Sequence, residues 1–382
     1  MRDHTHQLAS LQTPCLVIDE AKMTRNIDRL ADRARELGVV LRPHLKTVKS
    51  IEAAYRVLTN RTGPATVSTL AEAEAFAAAG INDITYAVGI SPQKLERVLA
   101  LRRSGCDLNV ILDSEAQANA VCEASQASGI AIPAMIEIDS DGHRGGLAPD
   151  DPTLITIGKI LNDNGAQLRG VLTHAGESYG AEAAATQAEF AEMERAAVVS
   201  AADILRAAGL PCPVVSVGST PTAHAAANLN GVTEMRAGVY VFFDLVMAGI
   251  NVCTVDDIAL SVLTTVIGHQ KKRGWIIVDA GWMAMSRDRG TATQTRDQGY
   301  GVVCDVNGQV LPDLIMLQAN QEHGVIACRA GTEGKIPELA VGTQLRILPN
   351  HACATAAQHQ QYNVLPEEGQ SPVSQWQRFG GW

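Results

Sequence analysis

The run "IPAMIEID", residues 132–139, gives way at once to the polar, glycine-rich loop "SDGHRGG" (140–146), and its reading decides the fold. It is a short β-like apolar run. Seven more lie between Val39 and Gly238: "VVLRP" (39–43), "ATVS" (65–68), "ITYA" (84–87), "LNVIL" (108–112), "LRGVLTH" (168–174), "PVVSVG" (213–218) and "VTEMRAG" (232–238). They alternate with longer amphipathic or alanine-rich stretches, the pattern of repeated βα units. Eight such units predict a closed (β/α)8 barrel.

The helices between the runs have readable limits. Met23, Ile27, Leu30, Ala34 and Leu37 form one apolar stripe at helical spacing, stopped by Gly38. "TLAEAEAFAAAG" repeats that logic, and residues 181–208 form the longest helix candidate, closed by Gly209 and Pro211. After about Gly249 the pattern changes to strand-like runs separated by turns: "ALSVLTTVIG", "GWIIVDAG", "GYGVVCDV", "LIMLQAN", "HGVIACR" and "TQLRILPN". The expected division is therefore an α/β barrel over residues 20–249 and an all-β domain over 250–382, to which the N-terminal strand-like segment 1–19 is added.

The chain has 382 residues, enough for two domains and a well-buried core. Its net charge of -10 and the lack of a basic cluster argue against nucleic acid or an anionic membrane as partner. No apolar segment has signal-peptide or membrane-spanning character, and the eight cysteines are scattered without a C-x-x-C pair. A cytoplasmic, reducing location is expected.

In a (β/α)8 barrel, chemistry collects at the C-terminal ends of the strands. The first strand is followed by His44 and Lys46, the fifth by a loop carrying Arg144, and the sixth by His174 and Tyr179. The seventh gives "SVGSTPT", whose Ser219 and Thr220 read either as a phosphate cradle or as an ordinary helix N-cap. The eighth gives Arg236, Gly238 and Tyr240. A lysine, a phosphate-like loop, an arginine and two histidines on one barrel mouth are what a lysine Schiff base to pyridoxal phosphate needs.

The ordered motifs "RPHLKT", "GHRGG", "THAGESY", "SVGSTPT", "RAGVYVFFD" and "PNHAC" resemble the fold-type III pyridoxal-phosphate enzymes of the D-threonine aldolase and D-serine dehydratase group, on its dehydratase side. The likeness covers nearly the whole chain. It implies an alanine-racemase-like barrel with a C-terminal β-domain, a homodimer, and Lys46 as the cofactor-binding lysine. It also implies that Arg144, His174, Tyr179, Ser219, Thr220, Gly238 and Tyr240 fall at or near the cofactor.

"LPNHACAT" places His351 and Cys353 on one face if the preceding strand continues through them. Two ligands fall short of a closed structural zinc site, but a catalytic site keeps positions open. In the family resembled, the metal pair lies here, as His-x-Asp in the aldolases and His-x-Cys in the dehydratases. A thiolate favours zinc, with manganese, magnesium or cobalt as alternatives. His323, in a Glu-His-Gly segment, reads equally as a site residue or a structural one. The remaining histidines are given no role, and most are expected at the surface.

The expected activity is release of ammonia and a 2-keto acid from a small β-hydroxy D-amino acid, threo-3-hydroxy-D-aspartate or D-serine. Lys46 would take the α-proton, and the ion would act on the leaving hydroxyl. An aldolase giving glycine or its analogue plus an aldehyde is the alternative. A non-catalytic pyridoxal-phosphate carrier is a third reading, disfavoured by the roughly 130 residues after Gly249.

Overall fold

A computed structural model describes residues 5–332, 335–367 and 372–382. The chain forms two compact units, one of residues 29–238 with Phe379–Trp382, the other of residues up to Asp28 with Val239–Arg378.

The first unit is built on eight parallel strands in the order Val40–Leu41, Glu234–Met235, Val214–Val217, Gln167–Thr173, Pro133–Ile138, Asp107–Leu112, Asp83–Gly89, Ala65–Val67. A parallel bridge between His44 and Thr66 joins the two end strands and closes the ring. Pro133–Ile138 is buried along its whole length, as a strand covered on both faces must be. All eight runs expected from the sequence are strands, with two much shortened. Pro43 has no N–H for a ladder, so the first strand stops at Leu41. Beyond Met235 the eighth keeps single bonds, such as His44 N–H to Ala237 O at 2.7 Å.

Helices follow their apolar stripes. Glu20–Glu36 buries Met23, Leu30 and Ala34, and Ala184–Ala207 is the longest at 24 residues. Gly209 follows it with φ +77°, a left-handed conformation that glycine adopts without steric cost. Thr69 and Ser114 cap the helices Leu70–Ala78 and Glu115–Ser128 by accepting backbone N–H bonds.

The second unit holds a nine-stranded sheet. Trp275–Val278, Gly324–Cys328, Val310–Ala319, Val302–Cys304, Gln344–Leu348 and Leu260–Gln270 run in that order, and the last pairs back to the first, closing a ring of antiparallel strands. Cys15–Asp19 adds antiparallel to Leu260–Gln270 and parallel to Gln361–Leu365, which pairs with Ser374–Gln377. The last two strands are absent from the sequence reading.

Candidate active site

In the barrel unit, Lys46 lies on a turn just past the closing bridge, and its side chain is exposed. Leu45 O accepts the N–H groups of Val48 and Lys49 at 3.1 and 3.0 Å and fixes that turn. The neighbours of Lys46 are bases held neutral. Burial, then the charges of Lys46 and Arg236 and the nearby His174, hold His44 well below the usual imidazole range.

His174 follows the strand Gln167–Thr173. Burial, together with Lys46, Arg236 and Arg144, outweighs its hydrogen bond to Gly218 and brings it down to about 4. Its Nδ1 donates to Gly218 O at 2.7 Å, which leaves the lone pair on Nε2. Tyr179 lies on the turn Gly176–Gly180 with its ring centroid 6.2 Å from that of His174, and its hydroxyl accepts the N–H of Thr220 at 3.5 Å.

At the seventh strand end the helix N-cap reading is observed. Ser219 is a helix N-cap: its Oγ accepts from Thr222 N at 3.2 Å, and Thr222 Oγ1 accepts from Ser219 N at 3.2 Å. Thr220 differs, because its buried hydroxyl has no hydrogen-bond partner among the described residues. A buried, unpaired hydroxyl is costly and marks a place where a polar ligand group fits. Gly238 packs closely on the turn that carries Lys46, since a Cβ there would lie 2.9 Å from His44 O and from Thr47 Oγ1.

Arg236, noted at the eighth strand end but given no role, is buried and held by three hydrogen bonds. It is 4% exposed, and its guanidinium donates to Thr173 O at 2.6 Å, Val217 O at 3.1 Å and Ser216 Oγ at 2.5 Å. It thereby fixes a positive charge under the two imidazoles. Arg144, by contrast, is largely exposed, with Nη2 3.8 Å from Glu137 Oε1. An amine flanked by neutral imidazoles, a buried cation, an unpaired hydroxyl and a glycine-lined turn fit an aldehyde cofactor that carries a phosphate.

The second unit contains the other residues singled out. Tyr240 is fully buried, its hydroxyl unpartnered among the described residues and pushed upward by burial. The histidine–cysteine pair departs from the expected geometry. The strand ends at Leu348, because Pro349 cannot donate to the ladder and the carbonyls of 349 and 350 instead accept from Leu245 and Val246. His351 is the N-cap of the short helix Ala352–Ala356, and Cys353 lies in its first turn. The two side chains still meet, through a hydrogen bond rather than strand alternation.

Asp288 contacts the same ring, with Oδ2 2.6 Å from His351 Nδ1. Burial alone would lower the imidazole, but the hydrogen bonds to Asp288 and Cys353 and the charges of Cys353 and Asp244 carry it up to about 11. The sequence reading missed Asp288, which lies 63 positions away. Among the described residues no group of three or more His, Cys, Asp or Glu side chains is arranged to hold an ion. A nitrogen and a sulfur donor, with a carboxylate behind the histidine, nevertheless fit a divalent ion that completes its shell with other ligands. His323 is exposed on the turn before Gly324–Cys328. Of the histidines without a role, His6, His143 and His269 are exposed, His224 and His359 are half-buried, and His4 lies outside the described residues.

Residues 18–246 match the family model of the alanine racemase N-terminal domain, and residues 259–365 match that of the serine dehydratase domain. The D-threo-3-hydroxyaspartate dehydratase of Delftia sp. (strain HT23) is 56% identical, over 98% of this chain and 99% of its own. Its solved structure aligns with a TM-score of 0.94 at 55% identity, over 98% of this chain and all of that one. The structure of a D-threo-3-hydroxyaspartate dehydratase C353A variant, described as the metal-free form, gives a TM-score of 0.94 at 54% identity, over 98% and 100% of the two chains. The D-serine dehydratase of Dictyostelium discoideum is 29% identical over 97% of both chains.

Proposed function

The chain belongs to the alanine racemase N-terminal domain family, and we propose that it is a lyase that eliminates water from a β-hydroxy D-amino acid, threo-3-hydroxy-D-aspartate or D-serine, and takes water up again as the resulting enamine hydrolyses, so that ammonia is the only net loss. The products are a 2-keto acid and ammonia. One observation carries the reading beyond the family's barrel: an exposed lysine amine beside imidazoles held neutral, in a chain that also has a paired histidine and thiol.

Pyridoxal phosphate, when bound, supplies the electron sink for the pair left on Cα. Lys46 Nζ is the group that would hold it and, once displaced by the substrate amine, the base that receives the α-proton. His174 presents an Nε2 lone pair because its Nδ1 proton is committed to Gly218 O. A neutral ring there accepts a hydrogen bond without competing for the proton that Lys46 takes. Thr220 Oγ1, Tyr179 and the Ser219 turn are assigned to the phosphate, with Gly238 packed on the turn that carries Lys46. Arg236 orients from below, and Arg144 offers a cation at the strand ends. Tyr240 completes the set proposed for the cofactor.

A divalent ion, when bound, supplies Lewis acidity at the hydroxyl that leaves. His351 and Cys353 are the residues that would hold it, and Asp288 fixes the ring by its Nδ1 edge. The thiolate favours zinc over manganese, magnesium or cobalt. The D-threo-3-hydroxyaspartate dehydratase variant altered at a cysteine and described as metal-free supports this assignment. The proposal includes functional limits of 20–249 for the cofactor barrel and 250–382 with 1–19 for the β-domain, a homodimer, and a cytoplasmic location. No helix among the described residues is long and apolar enough to cross a membrane.

The test is spectroscopic. Purified protein supplied with pyridoxal phosphate should show the visible absorbance of a lysine-bound cofactor, and Lys46→Ala should abolish it. A colourless protein with full activity contradicts the reading.

A further inference from the structure

Glu194 lies in the helix Ala184–Ala207 and is 2% exposed. An acid so deeply buried costs several kcal/mol unless donors surround it. Three do. Oε1 accepts the N–H of Ala175 at 3.1 Å and of Gly218 at 2.9 Å, and Oε2 accepts the hydroxyl of Thr222 at 2.7 Å.

These donors come from two separate turns. Ala175 follows His174 at the sixth strand end, whereas Gly218 and Thr222 bracket Ser219 and Thr220 at the seventh. The same turns are joined by the 2.7 Å bond from His174 Nδ1 to Gly218 O and by Ser178 Oγ and Ser219 Oγ at 2.9 Å. Gly218 has little freedom of its own: with φ +154°, a Cβ on it would lie 1.9 Å from Arg236 O. The position of the turn is therefore set from both sides, by Arg236 and by Glu194.

We propose that Glu194 is a positioning residue, whose carboxylate clamps the His174 turn to the 218–222 turn and so fixes where the unpaired Thr220 hydroxyl meets an anionic group. The inference rests on the pyridoxal phosphate reading and adds to it a residue outside the barrel strands. Since the clamped turn is assigned to the phosphate, loss of the clamp should weaken binding of pyridoxal phosphate far more than binding of pyridoxal, which has no phosphate. A purely structural role would weaken both alike.

The experiment titrates cofactor-free protein with each compound and follows the visible absorbance. Glu194→Met should raise the Kd for pyridoxal phosphate by roughly ten- to a hundredfold, the range typical of lost outer-shell support, and that for pyridoxal by less than about threefold. Glu194→Gln keeps an Oε1 for both backbone donors and should stay within about threefold of wild type for both compounds. Where Glu194→Met gives no folded protein, the comparison is read on Thr222→Val, which removes the donor to Oε2 and, with it, the side-chain acceptor of the Ser219 N–H; a selective loss of roughly three- to tenfold is expected. Equal losses for the two compounds, or no loss, overturn the inference. A wild type that binds neither compound overturns the cofactor reading and this inference with it, so the two failures are distinguishable.

Discussion

Asp288 Oδ2 lies 2.6 Å from Nδ1 of His351, so the imidazole reaches anything else through Nε2. The carboxylate sets the ring's orientation and raises its basicity as a ligand. Asp288→Ala should lower divalent-metal affinity by roughly ten- to a hundredfold, with the visible absorbance of the cofactor unchanged. Metal content after dialysis against a series of buffered free-ion concentrations measures this. Wild-type retention by Asp288→Ala would remove Asp288 from the account.

Cys353→Ala should separate cofactor binding from turnover. Under the proposed assignment cofactor attachment rests on Lys46 and loss of hydroxide on the ion, so the variant should remain coloured and lose most of its ammonia release. A chelator should do the same to the wild type, and added ion should restore the chelated wild type far better than the variant. If Cys353 were only a packed thiol, its loss would cost roughly 1 kcal/mol of stability and leave turnover ordinary. Chelator-insensitive, normal ammonia release by Cys353→Ala would therefore remove the ion from the mechanism.

His174 makes stability depend on acid. Its folded value, about 4, lies below the ordinary 6.5, so the unfolded chain takes up a proton first as pH falls. The contribution is present above about pH 6.5 and is lost between there and pH 4, on the order of 3 kcal/mol in all. His44, also depressed, acts in the same direction. Urea unfolding at pH 7 and pH 4.5 should show a smaller acid loss in His174→Asn than in the wild type. Equal losses would mean that the ring is not held neutral by the fold.

Much of the barrel is legible because its signals are local: apolar runs of strand length, helical stripes, and glycines such as Gly38 and Gly209 where helices stop. The strands Gln361–Leu365 and Ser374–Gln377 carry weaker signals. They have five and four residues, and in the second only Trp376 is buried. That Cys15–Asp19 pairs in parallel with Gln361–Leu365 is a long-range fact that neither segment encodes alone.

The site follows the same division. The strand ends that carry Lys46, His174 and Thr220 are predictable from local apolar runs. Arg236 gains its meaning only from the carbonyls of Thr173 and Val217 on neighbouring strands. Glu194 is one acid in an alanine-rich helix, and Asp288 belongs to a turn far from His351 in sequence. The strand before His351 and Cys353 stops at Pro349, yet the pair still meets because a helical first turn also brings residues two apart into reach when the first is an extended N-cap.

A product balance tests the reaction itself. Holoprotein supplied with divalent metal is incubated separately with threo-3-hydroxy-D-aspartate, D-serine and D-threonine, and ammonia, keto acid, glycine and aldehyde are assayed together. Ammonia and 2-keto acid should appear in equal amounts from threo-3-hydroxy-D-aspartate or D-serine, with no glycine or aldehyde. Glycine with an equal amount of aldehyde, without ammonia, would contradict this and make the protein an aldolase.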